Sequence, residues 1–97
     1  MQVKILEPAL ADLQMIKEWR FKNGDQIVES CLKAINRLEL SPNIGIPLRS
    51  KIDLETDFKY LINKPYLIFY KVKEHVMIYR IMDARQDYLG QLLRIED

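Results

Sequence analysis

The stretch that decides the fold is YLIFYKVKEHVMIYRIMDARQDY, residues 66–88. Two runs rich in β-branched and aromatic residues flank the polar break Lys73-Glu74-His75, a pattern typical of a β-hairpin. Both faces of each strand carry apolar side chains, so we expect both faces of the hairpin to be at least partly covered. The second strand continues into a basic and polar stretch, Arg85 to Tyr88. The hairpin therefore predicts a rigid scaffold that carries polar residues at its end.

The first forty residues predict a strand followed by a pair of helices. Gln2 to Leu6 alternates weakly and favours a strand, and Pro8 suits the first turn of a helix. Asn23-Gly24 separates this helix from a second one, over about Gln26 to Leu40, which ends at Ser41-Pro42. The residues expected to face inward recur at helical spacing. They are Leu10, Leu13, Ile16 and Trp19 in the first helix, and Val28, Cys31, Ile35 and Leu38 in the second.

The remaining segments complete the predicted sheet. Asn43 to Asp57 predicts a loop, Phe58 to Ile62 a strand, and Asn63-Lys64-Pro65 a tight turn into the hairpin. Leu89 to Leu93 fits either a short helix or another strand. We therefore predict one α+β domain over residues 1–97, in which a small antiparallel sheet (the N-terminal strand plus a three-strand meander) packs against an α-helical hairpin.

Composition restricts the classes of function. Fifteen basic residues oppose fourteen acidic ones. Between positions 58 and 85, however, six basic residues oppose two acidic ones, which suits an acidic partner but is too small an excess for non-specific nucleic-acid binding. Cys31 is the only cysteine, and it predicts a small buried helix residue. No signal peptide or membrane-spanning run is recognisable, so we expect a cytoplasmic protein without membrane contact.

The sequence lacks the residues that several kinds of functional site require. His75 is the only histidine and lies at the predicted turn, so a structural zinc site lacks ligands, and we expect no metal and no cofactor. No glycine-rich phosphate loop is present. The groups that remain are basic and aromatic residues around the sheet, which can stabilise charge on phosphate oxygens and assist proton transfer. The candidates are Arg49, Lys51, Lys59, Lys64, Arg80, Arg85 and Tyr88. Arg80 lies in an apolar strand and needs a partner or an exposed face. Asp83 and Asp87 offer Arg85 a structural ion pair as the alternative to a catalytic role.

Nearly the whole chain resembles the RelE/ParE superfamily of bacterial toxins from type II toxin–antitoxin modules. The residues that carry the resemblance are the opening strand and four segments. These are PALADL (residues 8–13), LELSPNIGIP (38–47), YLIFYKV (66–72) and YRIMDARQDY (79–88). The third segment looks like a strand of aromatic and apolar residues found in the family. The fourth looks like the ending of the family's last strand, in which an arginine is followed by two apolar residues, two further residues, a second arginine, one residue and Asp-Tyr. The fold that the resemblance implies agrees with the one predicted above.

The resemblance implies two different activities. RelE-like members cut mRNA on the ribosome, where the 2′-hydroxyl attacks the adjacent phosphate without a metal. ParE-like members poison DNA gyrase. The RelE branch carries arginines where this chain has Leu67 and Gln86, whereas Arg85, Asp87 and Tyr88 match a ParE-like ending. A histidine often found at the position of Asp83 in ParE-like sequences is missing. Gyrase is therefore the favoured target, with the endoribonuclease and a non-toxic binding homologue as alternatives.

The resemblance also implies a protein partner. The cognate antitoxin wraps the toxin with a helix and an extended segment that cover apolar surface and basic residues. We expect the second apolar face of the hairpin, which the helix pair alone cannot cover, to be its docking surface. If the toxin is an enzyme, Arg85, Tyr88 and Arg80 are the catalytic candidates, and Arg49, Lys51, Lys59 and Lys64 bind RNA or the target.

Overall fold

Five strands and three helices form the protein, and a computed structural model describes residues 1–20 and 22–95. In chain order the elements are β1 (Val3–Ile5), α1 (Glu7–Trp19), α2 (Gly24–Asn36), β2 (Ile46–Pro47), β3 (Lys59–Asn63), β4 (Tyr66–Val72), β5 (Val76–Asp83) and α3 (Tyr88–Ile95). Single 3₁₀ turns follow α2, at Arg37–Glu39, and β2, at Leu48–Ser50. The helical hairpin and the three-strand meander are as predicted, and the α+β architecture is confirmed.

The sheet is mixed, which corrects the expectation of a wholly antiparallel one. Its strand order is β1-β5-β4-β3-β2, and β2 to β5 pair antiparallel. β1 instead pairs parallel to β5, with Val3 opposite Val76 and Ile5 opposite Ile78. No tight turn joins these two strands, since both helices and three strands lie between them in the chain, so their pairing is not restricted to the antiparallel sense of a hairpin.

One face of the sheet packs against α1 and α2 around Ile35, Ile68 and Ile78, which are buried. The inward face of α1 differs from the predicted one. Leu13 and Ile16 are buried as expected, but Leu10 is 50% and Trp19 76% exposed. Ala9 takes the place of Leu10, since a small residue lets the helix approach the sheet closely.

The second face of the hairpin is covered by the chain itself, which corrects the expectation that it stays open for a partner. Leu92 of α3 and Leu48 of the 3₁₀ turn after β2 are both fully buried against it. They pack on Phe58, Leu67 and Phe69. These side chains therefore do not form the open docking surface that the sequence predicted.

A buried tyrosine fastens the loop after α2 to the sheet. Tyr70 is fully buried in β4, and its hydroxyl accepts a hydrogen bond of 2.8 Å from the backbone N–H of Gly45. A Cβ at Gly45 would overlap the Tyr70 ring, so only glycine fits this approach. Burial raises the pKa of Tyr70, which keeps the phenol neutral.

Candidate functional site

Four of the predicted site residues converge on one groove. Lys51, Lys64, Arg85 and Tyr88 line a concavity of about 400 Å³, together with apolar residues that include Leu67. We call it the basic groove. It forms because the turn between β3 and β4 supplies Lys64, the end of β5 leads to Arg85, and α3 begins at Tyr88.

Aromatic residues hold two of these side chains in place. The Tyr88 ring packs against the Phe69 ring at a centroid distance of 5.4 Å. The Lys51 ammonium lies 5.6 Å from the centre of the Tyr60 ring, a cation–π contact. The groove therefore combines fixed aromatic surfaces with positive charge.

The guanidinium of Arg85 is engaged by Asp83. Its Nε donates to Asp83 Oδ1 over 2.9 Å and its Nη2 donates to Oδ2, while the Arg85 backbone N–H also donates to Oδ1. These hydrogen bonds lower the pKa of Asp83 to about 2 and raise that of Arg85. The predicted structural ion pair is therefore present with Asp83. Arg85 keeps 73% of its side chain exposed, so one edge of the guanidinium still faces solvent.

Arg80 lies outside the basic groove and is engaged in an ion pair. Its Nε donates to Asp12 Oδ2 over 2.7 Å and its Nη2 to Oδ1 over 2.9 Å. Asp12 Oδ2 also accepts the backbone N–H of Ile81 at 2.8 Å. The side chains of Arg80 and Asp12 are 20% and 11% exposed, and the hydrogen bonds from Arg80 to Asp12 raise the pKa of Arg80. This bidentate pair, which fastens α1 to β5, satisfies the need of Arg80 for a partner.

Arg49 and Lys59 belong to a different concavity. They line a wide depression of about 550 Å³ together with Asp57 and Val72. The pKa of Asp57 is lowered by a hydrogen bond from Lys73 and, to a smaller extent, by one from Lys71. The Lys71 Nζ lies 3.1 Å from Asp57 Oδ1. The seven predicted cations and aromatics therefore do not form one constellation.

A second groove next to the first was missed by the sequence reasoning. It has a volume of about 380 Å³ and is lined by Met15 and Trp19 of α1, by Arg20, and by Tyr66 and Asp83 of the sheet. We call it the Trp19 groove. Tyr66 lines both grooves, and its hydroxyl accepts a hydrogen bond of 3.1 Å from Arg20 Nε. One signal was available in the sequence: Ala9 offers an alternative helical line with Leu13 and Ile16, which turns Trp19 outward.

Within residues 1–20 and 22–95, no cluster of three or more His, Cys, Asp or Glu side chains is placed to hold a metal ion. Over the same residues, no helix combines the length and the hydropathy needed to cross a membrane.

Comparison with known proteins identifies the family. A family model described as the ParE toxin of the type II toxin–antitoxin system parDE matches residues 3–88. Among solved structures, the chain is similar to one from the chromosomal ParDE toxin–antitoxin system of P. aeruginosa, with a TM-score of 0.72 and 21% identity. That match covers 86% of this chain and 95% of the other. No curated protein sequence matches. The hairpin, the helix pair and the match over residues 3–88 together show that this chain belongs to the ParE family of type II toxins.

Proposed function

We propose that this toxin arrests growth by acting on DNA gyrase and that a cognate antitoxin neutralises it by direct binding. The resemblance to ParE-like toxins supports both a cognate antitoxin as partner and gyrase as target. The observation that carries the choice of gyrase over mRNA is the content of the basic groove. Leu67, 6% exposed, is one of its lining residues, and Arg85, the one arginine that lines it within residues 1–20 and 22–95, is paired with Asp83.

Cleavage of RNA through the 2′-hydroxyl requires more than positive charge. It needs a group that removes a proton and a cation that stabilises charge on the phosphate. In the basic groove the Arg85 charge is already balanced by Asp83. Leu67 and Gln86 stand where the RelE-like nucleases carry arginines. These features weaken the nuclease chemistry and leave a surface suited to binding.

The endoribonuclease stays as the second candidate because of one observation. Lys51, Lys64, Arg85 and Tyr88 do converge on a concavity of nucleotide size. In that reading Arg85 and Tyr88 act on the scissile phosphate, and mRNA on the ribosome is the substrate.

An induction experiment separates these functions. The chain is expressed with and without its antitoxin, and plasmid supercoiling and ribosome-bound mRNA are followed over time. The proposal predicts growth arrest without antitoxin, loss of negative supercoiling and intact mRNA. Early cleavage of mRNA that disappears in Arg85→Ala and Tyr88→Phe, but persists in the exposed control Arg37→Ala, would select the nuclease. Normal growth with retained antitoxin binding would identify a non-toxic binding homologue.

A further inference from the structure

We infer that the Trp19 groove is the anchoring site for an acidic, amphipathic segment of the antitoxin. The inference rests on the proposed function only in naming the antitoxin as partner. It concerns where that partner binds, and it differs from the second hairpin face, which Leu48 and Leu92 already cover.

Exposed apolar side chains mark the anchor. Trp19 is 76% and Met15 55% exposed, and both line the same groove from adjacent turns of α1. Both side chains therefore keep more than half of their surface open to solvent. Such residues at the edge of a groove are typical of a binding surface, since tryptophan dominates the energetics of protein interfaces.

The charge around the anchor is positive. The Trp19 groove shares Tyr66 with the basic groove, and it shares Arg20 with a shallow depression at the start of α2. Among residues 1–20 and 22–95, seven basic side chains line these three neighbouring concavities, against three acidic ones. The basic residues are Lys17, Arg20, Lys22, Lys51, Lys64, Arg80 and Arg85, and the acidic ones are Asp12, Asp25 and Asp83.

Two of the three carboxylates are neutralised within the chain. Asp12 is held by Arg80, and Asp83 is held by Arg85 with Arg20 Nη2 3.8 Å away. The same pairs neutralise Arg80 and Arg85, which leaves five of these basic residues against Asp25, so a partner meets an excess of positive charge beside an apolar anchor. An acidic peptide with one or two large apolar residues matches this combination. Nucleic acid matches it less well, because the anchor includes the aliphatic Met15.

Trp19 is the only tryptophan of the chain and therefore reports directly on the site. The purified toxin is titrated with the cognate antitoxin, in which any tryptophan is replaced by phenylalanine. We expect the Trp19 emission to shift to shorter wavelength at saturation and to become protected from acrylamide, because the indole passes from solvent into an interface. Emission and quenching that stay unchanged while a second method records binding would overturn the inference.

Substitutions give an independent test. Trp19→Ala is expected to weaken antitoxin binding by at least ~30-fold, the loss that defines a hot spot. The matched control is Leu40→Ala, because Leu40 is 93% exposed and lines none of the three concavities. Equal affinities for the two variants would contradict the proposal. Circular dichroism checks that both variants fold, which their exposure favours.

Other occupants of the groove give distinct results. Emission that shifts with toxin concentration alone would assign the surface to a second copy of the chain. A shift produced by single-stranded DNA or RNA, and not by antitoxin, would assign it to nucleic acid. Either result overturns the inference. Because binding is measured with purified proteins, a toxin that fails to arrest growth would refute the proposed function and leave this result standing.

Discussion

The ion pair between Asp12 and Arg80 predicts a large loss of stability when Asp12 is replaced by alanine. The substitution removes three hydrogen bonds, leaves the Ile81 N–H without its acceptor, and leaves the guanidinium with the longer hydrogen bond of 3.4 Å from Nη2 to Gln91 Oε1. Removing one partner of a buried ion pair costs about 3–5 kcal/mol, and the 20% exposure of Arg80 places this case near the lower end. We expect the free energy of unfolding to fall by about 3 kcal/mol, out of the roughly 5–15 kcal/mol typical of a single domain.

Urea denaturation and thermal melting measure this loss. Each kcal/mol shifts the Tm of a domain of this size by ~4–8 °C, so Asp12→Ala is expected to melt at least ~12 °C lower. Asp25→Ala, which removes an exposed carboxylate in the first turn of α2, is the control and is expected to change stability by less than ~1 kcal/mol. A loss below about 0.5 kcal/mol for Asp12→Ala would refute the structural role of the pair.

The same pair decides the role of Arg80. If Arg80 acts only by fastening α1 to β5, the double variant Asp12→Ala/Arg80→Met loses less stability than the sum of the single variants. Toxicity then follows the folded fraction in all three. An Arg80→Met protein that is folded but inactive, beside an active Asp12→Ala protein, would restore the catalytic assignment.

Three further predictions follow from local contacts. Gly45→Ala is expected to lower the free energy of unfolding by about 1–3 kcal/mol, because the added methyl group overlaps the Tyr70 ring; equal melting of the variant and the parent would contradict this. Tyr70→Phe leaves the Gly45 N–H without its acceptor and is expected to cost about 1–3 kcal/mol in urea denaturation. Asp83→Asn is expected to lower the free energy of unfolding only slightly near neutral pH, since water screens the ion pair with the solvent-exposed Arg85. Because the pKa of Asp83 is lowered from 3.8 to about 2, this difference is complete above pH 4 and disappears as the pH falls toward 2; a difference that grows on acidification would exclude the ion pair.

Local patterns in the sequence predicted the elements well. The β-branched and aromatic runs on either side of Lys73-Glu74-His75 form β4 and β5, and Asn23-Gly24 separates the two helices. These signals depend on neighbouring residues only. The orientation of α1 does not, because it also depends on contacts with distant parts of the chain, such as the Asp12–Arg80 pair, whose members are 68 positions apart. Helical spacing alone therefore placed Leu10 and Trp19 on the wrong side.

The candidate site was also predicted only in part, because some of its contacts join residues that are distant in the sequence. Lys51, Lys64, Arg85 and Tyr88 converge, but residue types could not indicate that Arg80 is held by α1 or that Arg49 and Lys59 face a separate depression. The covering of the second hairpin face by Leu48 and Leu92 also depends on long-range packing. Trp19, which the helical spacing assigned to the core, is 76% exposed, and the groove that it lines could be recognised only once the helix orientation was known.

A supercoiling assay with purified components tests whether this ParE family member acts on gyrase. Gyrase, ATP and relaxed plasmid are incubated with the toxin, with toxin and antitoxin together, or with neither. We expect the toxin to block the gain of negative supercoils and the antitoxin to restore it. Unimpaired supercoiling at a toxin concentration that cuts mRNA on purified ribosomes would refute the proposed action on gyrase.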